Sequence, residues 1–136
     1  MKAERWNQLV KAALRARQHA YAPYSHYAVG AALLTASGEV YAGANVENAV
    51  YPLGLCAERV AVFNAVSEGH REFEAIVVAT ENGGTPCGAC RQVLAEFGLD
   101  LTVFVVNAQG NVVLETTVRD LLPASFGPDD LPEKRP

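Results

Sequence analysis

Two helices in this 136-residue chain begin at cysteines, and the segment between them reads as a single buried strand. The first opens Cys56-Ala57-Glu58-Arg59 and the second Pro86-Cys87-Gly88-Ala89-Cys90, about 30 residues apart. The intervening run from Phe73 to Thr80 (FEAIVVAT) is too short for an ordinary helix and rich in β-branched residues, hence a buried strand. If the Cys56 helix starts beside a neighbouring strand end, three thiols from two helix N-termini converge at one place.

The rest of the chain supplies a frame for that pattern. Trp6, Leu9, Val10, Ala13, Leu14 and Arg17 recur every three to four residues, which predicts an amphipathic helix over residues 2–20, ended by Pro23. Residues 27–35 and the run from Val40 form a hairpin turned by Ser37-Gly38. The Cys56 helix is expected to run to Ser67 with Val60, Phe63 and Val66 on one face and Gly69 as its stop. The third helix is expected to run to about Phe97 and close at Gly98. LTVFVVN (101–107) is a second buried strand, and the short turn at 108–111 forces VVLE to pair antiparallel with it. Thr117 can cap a last short helix through Leu122. The order α-β-β-α-β-α-β-β-α predicts an α/β fold, a mixed sheet with helices on its faces, in one domain over residues 1–131. Residues 132–136 are expected to fray.

Charge narrows the function. Eleven Lys and Arg against 15 Asp and Glu give a formal net charge of −4, which argues against sequence-independent binding to nucleic acid. No apolar run is long enough to span a bilayer, and the charged, amphipathic N-terminus is no signal peptide, so a cytoplasmic protein without a membrane partner is expected.

An odd number of cysteines (Cys56, Cys87, Cys90) makes a poor disulfide framework and points to metal binding, redox chemistry or a nucleophile, unless all three are small buried hydrophobes. At helix starts, the positive end of the helix favours thiolate. Three protein ligands with an open fourth position is the pattern of a catalytic zinc site. His19, His26 and His70 lack ligand spacing and are expected on the surface, leaving water as the fourth ligand. Zinc with three thiolates carries a net −1, which Arg59, three residues after Cys56, is placed to offset by hydrogen bonding to sulfur. Glu58, two residues from a ligand, is suited to shuttling protons.

This arrangement is the known signature of zinc nucleobase deaminases. The sequence closely resembles the small, homotetrameric cytidine deaminases of pyrimidine salvage, through YAPYSHYAVGAAL (21–33), NVENA (45–49), CAERVA (56–61), PCGACRQVL (86–94) and LLPASFGPDDL (121–131). The resemblance implies a three-layer, mixed five-stranded sheet with helices on both faces. It implies hydrolysis of cytidine and 2′-deoxycytidine, zinc-bound hydroxide attacking C4 while the Glu moves protons to N3 and the departing amine. One Zn²⁺ per chain would be held by Cys56, Cys87 and Cys90, with Glu58 as shuttle and Arg59 neutralising thiolate charge. Asn45 and Glu47 match the pair that holds the ribose 3′-hydroxyl, and the backbone of Ala57 matches a contact to the base. Tyr51 and Phe126 match contributors from neighbouring subunits, so active sites would be shared in a homotetramer. Tyr27 stands where the family carries a Phe against the pyrimidine ring, and its hydroxyl needs a partner or water. Val50, Pro52 and Gly54 also depart from the family's loop, and Pro52 removes a backbone donor.

Three other readings compete. The same machinery could deaminate another cytosine-bearing nucleoside. A dithiol oxidoreductase would use Cys87 and Cys90 but leave Cys56 and Glu58 without a role. A non-catalytic zinc module would tolerate Glu58→Gln without consequence.

Overall fold

The computed structural model describes residues 1–132. The expected fraying of 132–136 therefore lies, beyond Pro132, outside the described residues. The elements are α1 (Ala3–Arg17), β1 (Gly30–Thr35), β2 (Val40–Ala44), α2 (Ala57–Ser67), β3 (Phe73–Ala79), α3 (Gly88–Phe97), β4 (Thr102–Val106), β5 (Val112–Thr117) and α4 (Val118–Leu121). Short 3₁₀ turns lie at Tyr51–Leu53 and Pro128–Asp130. The five strands form one sheet in the order β2-β1-β3-β4-β5. Only β3 and β4 pair parallel, joined through α3; the other neighbours are antiparallel, including the last pair, as the short turn required.

Strand side chains alternate between two cores. Ala32, Leu34, Val77, Ala79 and Val106 face α1 through its Leu9 and Ala13. Ala31, Leu33, Ile76, Val78, Val103 and Val105 face the opposite side, against Ala61, Val62 and Ala65 of α2 and Leu94 of α3. Because both faces of β1, β3 and β4 are covered, these strands read as continuous apolar runs. The architecture is the expected three-layer mixed sheet.

Two sheet glycines set how closely the helices approach. A Cβ at Gly30 would lie 2.5 Å from Arg17 N in α1, and one at Gly43 would lie 2.6 Å from Ala61 N in α2. No side chain fits at either place.

Several expectations need correcting. The first helix ends at Arg17, well before Pro23, because the amides of Gln18 and His19 turn to the carbonyls of Arg15 and Ala16 in a tight last turn. The first strand starts at Gly30, since the backbone of Tyr27 and Val29 is engaged by the Asn45 side chain. The buried face of α2 is Ala57, Glu58, Ala61, Val62 and Ala65, while Phe63 is 43% exposed: the helix backbone at Ala57 and Ala61 passes close over Gly43, which turns this face and not that of Phe63 to the sheet. His70 is not free on the surface but half-buried, its Nε2 3.1 Å from Glu39 Oε2. Among the described residues, no helix is long and apolar enough to cross a membrane.

Candidate metal and active site

Strand β3 ends at Ala79, and the chain then loops through 80–86 into α3. Helix α2 starts beside this carboxyl end. Cys56 and Cys87 are the extended N-cap residues of α2 and α3, their own side chains making no cap hydrogen bond, and Cys90 lies in the first turn of α3. Their three sulfurs lie within 4.8 Å of one another, Cys56 Sγ 3.9 Å from Cys87 Sγ and Cys87 Sγ 3.6 Å from Cys90 Sγ. Two sulfurs each about 2.3 Å from a tetrahedral zinc are about 3.8 Å apart, so this donor set fits one zinc ion. All three cysteines are free thiols.

Arg59 donates from Nη2 to Cys56 Sγ at 3.6 Å, the contact expected of it. Without metal, the hydrogen bond from the Cys90 thiol holds the Cys56 thiol well below its usual value, to about 5; burial opposes this and Arg59 adds to it. Cys90 is pushed up correspondingly, first by that same hydrogen bond and then by burial. Glu58 is 4% exposed, and burial raises its carboxyl to about 7; its own backbone N–H opposes the rise and the Cys56 thiolate adds to it.

Glu58, Cys56 and Cys87 share a cavity of about 270 Å³ with Tyr27, Asn45 and Glu47. The Asn45 amide is anchored at both ends, donating to Tyr27 O (2.8 Å) and accepting from Val29 N (2.9 Å). Glu47 Oε1 accepts from the amides of Tyr24 (3.0 Å) and Ser25 (3.1 Å), and its Oε2 accepts from the Ser25 hydroxyl. These bonds hold the Glu47 carboxyl below the usual carboxylate range, the Ser25 hydroxyl contributing most. The Tyr27 hydroxyl has its partner: it donates to Asn82 Oδ1 at 2.7 Å. Ala57 is buried in the first turn of α2.

Tyr51 borders a second, more open cleft of about 450 Å³, which shares Asn45, Glu47 and Cys56 with the first and also touches Arg59. Pro52 sits in the first positions of the 3₁₀ turn, where a helix has no partner for an N–H, so its missing donor leaves nothing unpaired. Phe126 is not brought to either cavity. It lies 58% exposed on a separate groove with Phe97 and Gly98, where its carbonyl accepts from Gln92 Nε2 at 2.8 Å.

Sequence reasoning missed Ser25, Thr80, Gly84 and Thr85, which also line the inner cavity. The position of 80–86 between a strand end and a cysteine-bearing helix was the available signal. Arg91 donates to Pro86 O and Leu121 O (2.7 Å each) and to Thr85 Oγ1 (3.2 Å), fastening the loop that precedes Cys87.

Comparison with known proteins agrees with this geometry. Residues 3–106 match the family described as the cytidine and deoxycytidylate deaminase zinc-binding region. A cytidine deaminase of Sporosarcina psychrophila is 47% identical over 127 residues, 91% of this chain and 93% of that protein. One from Halalkalibacterium halodurans is 51% identical over 126 residues, covering 90% and 95%. The crystal structure of cytidine deaminase from Burkholderia pseudomallei, 50% identical, superposes with a TM-score of 0.85 over 93% of this chain and all of that one. A family match over most of the chain, relatives near half identity and a superposable sheet agree with a three-sulfur site made for one zinc: the chain belongs to the zinc-dependent cytidine deaminase family.

Proposed function

We propose that this protein hydrolyses cytidine and 2′-deoxycytidine to uridine and 2′-deoxyuridine, releasing ammonia. The observation that carries this reading is the buried Glu58 carboxyl in one small cavity with two of the three clustered cysteines. Zinc bound by Cys56, Cys87 and Cys90 would supply a Lewis acid and a water made nucleophilic near neutral pH. Glu58 takes one proton from the water as its oxygen adds to C4 and passes it to N3, then takes the remaining proton of the new C4 hydroxyl and delivers it to the amine, which leaves as ammonia. Without metal, burial raises the Glu58 carboxyl to about 7, and a buried carboxyl of this kind is suited both to accept and to donate a proton. Arg59 keeps excess negative charge on the sulfurs from weakening the metal. The Tyr27 ring packs against the pyrimidine, the first-turn backbone of Ala57 contacts the base, and Asn45 and Glu47 take the ribose.

The catalytic unit is the single domain 1–131, working in the cytoplasm as a homotetramer without nucleic-acid or membrane partners. Two observations support shared sites. Val50, Tyr51 and Leu53 are 57%, 73% and 68% exposed on one turn beside the open cleft. Phe126 borders neither cavity of its own chain, so it is free to serve a neighbour's.

The test is turnover of the zinc-loaded protein on cytidine, 2′-deoxycytidine and free cytosine, read as ammonia and absorbance change. Both nucleosides should be converted and the free base should not. Failure on both nucleosides refutes the proposal.

A further inference from the structure

We propose that Tyr27, Asn82 and Gly84 form an interlocking set in which Asn82 and Gly84 are positioning residues that hold the Tyr27 ring against the wall of the base cavity. The inference rests on the functional reading above, in which Tyr27 faces the pyrimidine.

The Tyr27 hydroxyl donates to Asn82 Oδ1 at 2.7 Å. It fills the space that the missing side chain of Gly84 leaves: a Cβ built there would lie less than 3.0 Å from the hydroxyl oxygen but 3.5 Å from the ring carbon bearing it. The first distance is a clash and the second an ordinary contact. A methyl at position 84 is therefore incompatible with the hydroxyl and compatible with the bare ring. Gly84 has no positive φ, so alanine brings no backbone strain of its own.

Neither wall can retreat to relieve the clash. The amides of Gly83 and Gly84 both donate to Thr80 Oγ1 at 2.8 Å, and Thr80 is buried. Opposite, Tyr27 N donates to Ser25 Oγ (3.1 Å) and Tyr27 O accepts from Asn45 Nδ2 (2.8 Å). Arg17 spans both walls, donating to Ala28 O at 3.0 Å and pairing with Glu81 at 2.7 Å. With both backbones held, the soft coordinate is rotation of the Tyr27 ring. Tyr27 and Gly84 line the same cavity, so that rotation changes the space offered to the base.

The experiment is a set of zinc-loaded variants assayed for cytidine KM and kcat and for thermal midpoint. Gly84→Ala should raise KM severalfold and lower the thermal midpoint, because the methyl meets the Tyr27 hydroxyl in the space it fills. Adding Tyr27→Phe to Gly84→Ala should bring KM and the midpoint back to those of Tyr27→Phe alone. Asn82→Ala should raise KM about two- to tenfold, as expected for one neutral hydrogen bond, and should add nothing in the Tyr27→Phe background. A Gly84→Ala protein as good as wild type, or one that Tyr27→Phe leaves unrescued, overturns the interlock. A wild-type protein inactive on cytidine overturns the functional reading instead, and the rescue of the midpoint then reads the interlock separately.

Discussion

Gly43→Ala joins the fold to the metal site. In β2, Gly43 lies under α2, the helix whose N-terminal turn carries Cys56, Glu58 and Arg59. A methyl there would sit 2.6 Å from Ala61 N, 2.8 Å from Val60 Cβ and 2.9 Å from Ala57 O, where ordinary contact begins near 3.4 Å. Two of these neighbours are helix backbone, so α2 must lift off the sheet by about 0.8 Å. Cys87 and Cys90 ride on α3 and stay behind. Zinc–ligand distances tolerate only about 0.2 Å, so this displacement should lower zinc affinity by at least the 10- to 100-fold seen when supporting contacts are lost. Overpacking of about 3 kcal/mol, less up to about 1 kcal/mol from the stiffer unfolded chain, leaves about 2–3 kcal/mol. With an unfolding entropy near 0.3 kcal/mol/K for a chain this long, the thermal midpoint should fall by roughly 7–10 °C. The control is Gly30→Ala, which pushes α1 off the other face and should lower stability while leaving zinc affinity near wild type. Chelator competition and calorimetry on both variants read the difference. Equal zinc affinity in wild type and Gly43→Ala would refute the claim that this contact sets the position of Cys56.

Three further outcomes are expected. Glu58→Gln should keep one zinc per chain and lose on the order of 10³ in kcat, as for removal of an acid–base group; metal analysis and initial rates on one preparation check this. Arg59→Met should still fold but bind zinc about 10- to 100-fold more weakly, because the donor at 3.6 Å from Cys56 Sγ is gone; chelator titration reads it. Glu47 has its folded pKa lowered, so its contribution to stability is complete above the ordinary carboxylate value of 4.5 and is lost as pH falls through the lower folded value. The midpoint gap between wild type and Glu47→Gln should therefore be constant near neutrality and close in acid; a gap unchanged between about pH 7 and about pH 3 contradicts the assignment.

The features legible in the sequence were those with local causes. FEAIVVAT and LTVFVVN could only be buried strands, and the four-residue turn after Asn107 forced an antiparallel pair. Cys56 and Cys87 fell at helix starts as their motifs indicated, and the three sulfurs meet. What was not legible depends on partners distant in sequence. Phe63 matched the apolar spacing of α2, yet the helix turns Ala57, Ala61, Val62 and Ala65 inward, its backbone passing close to Gly43 of β2, a strand distant in sequence. Helix α1 ends at Arg17 in a tight last turn, where Gln18 and His19 donate to the carbonyls of Arg15 and Ala16, and not at the next proline. The requirement for a partner to the Tyr27 hydroxyl was foreseeable; that Asn82, 55 residues away, supplies it was not.

The most direct test of a zinc-dependent cytidine deaminase is zinc content and cytidine conversion measured on the same chelator-free sample. One zinc per chain, together with stoichiometric uridine and ammonia, is the expected result. Protein isolated without zinc, in which Cys87 and Cys90 cycle between dithiol and disulfide and cytidine is left unchanged, would contradict it.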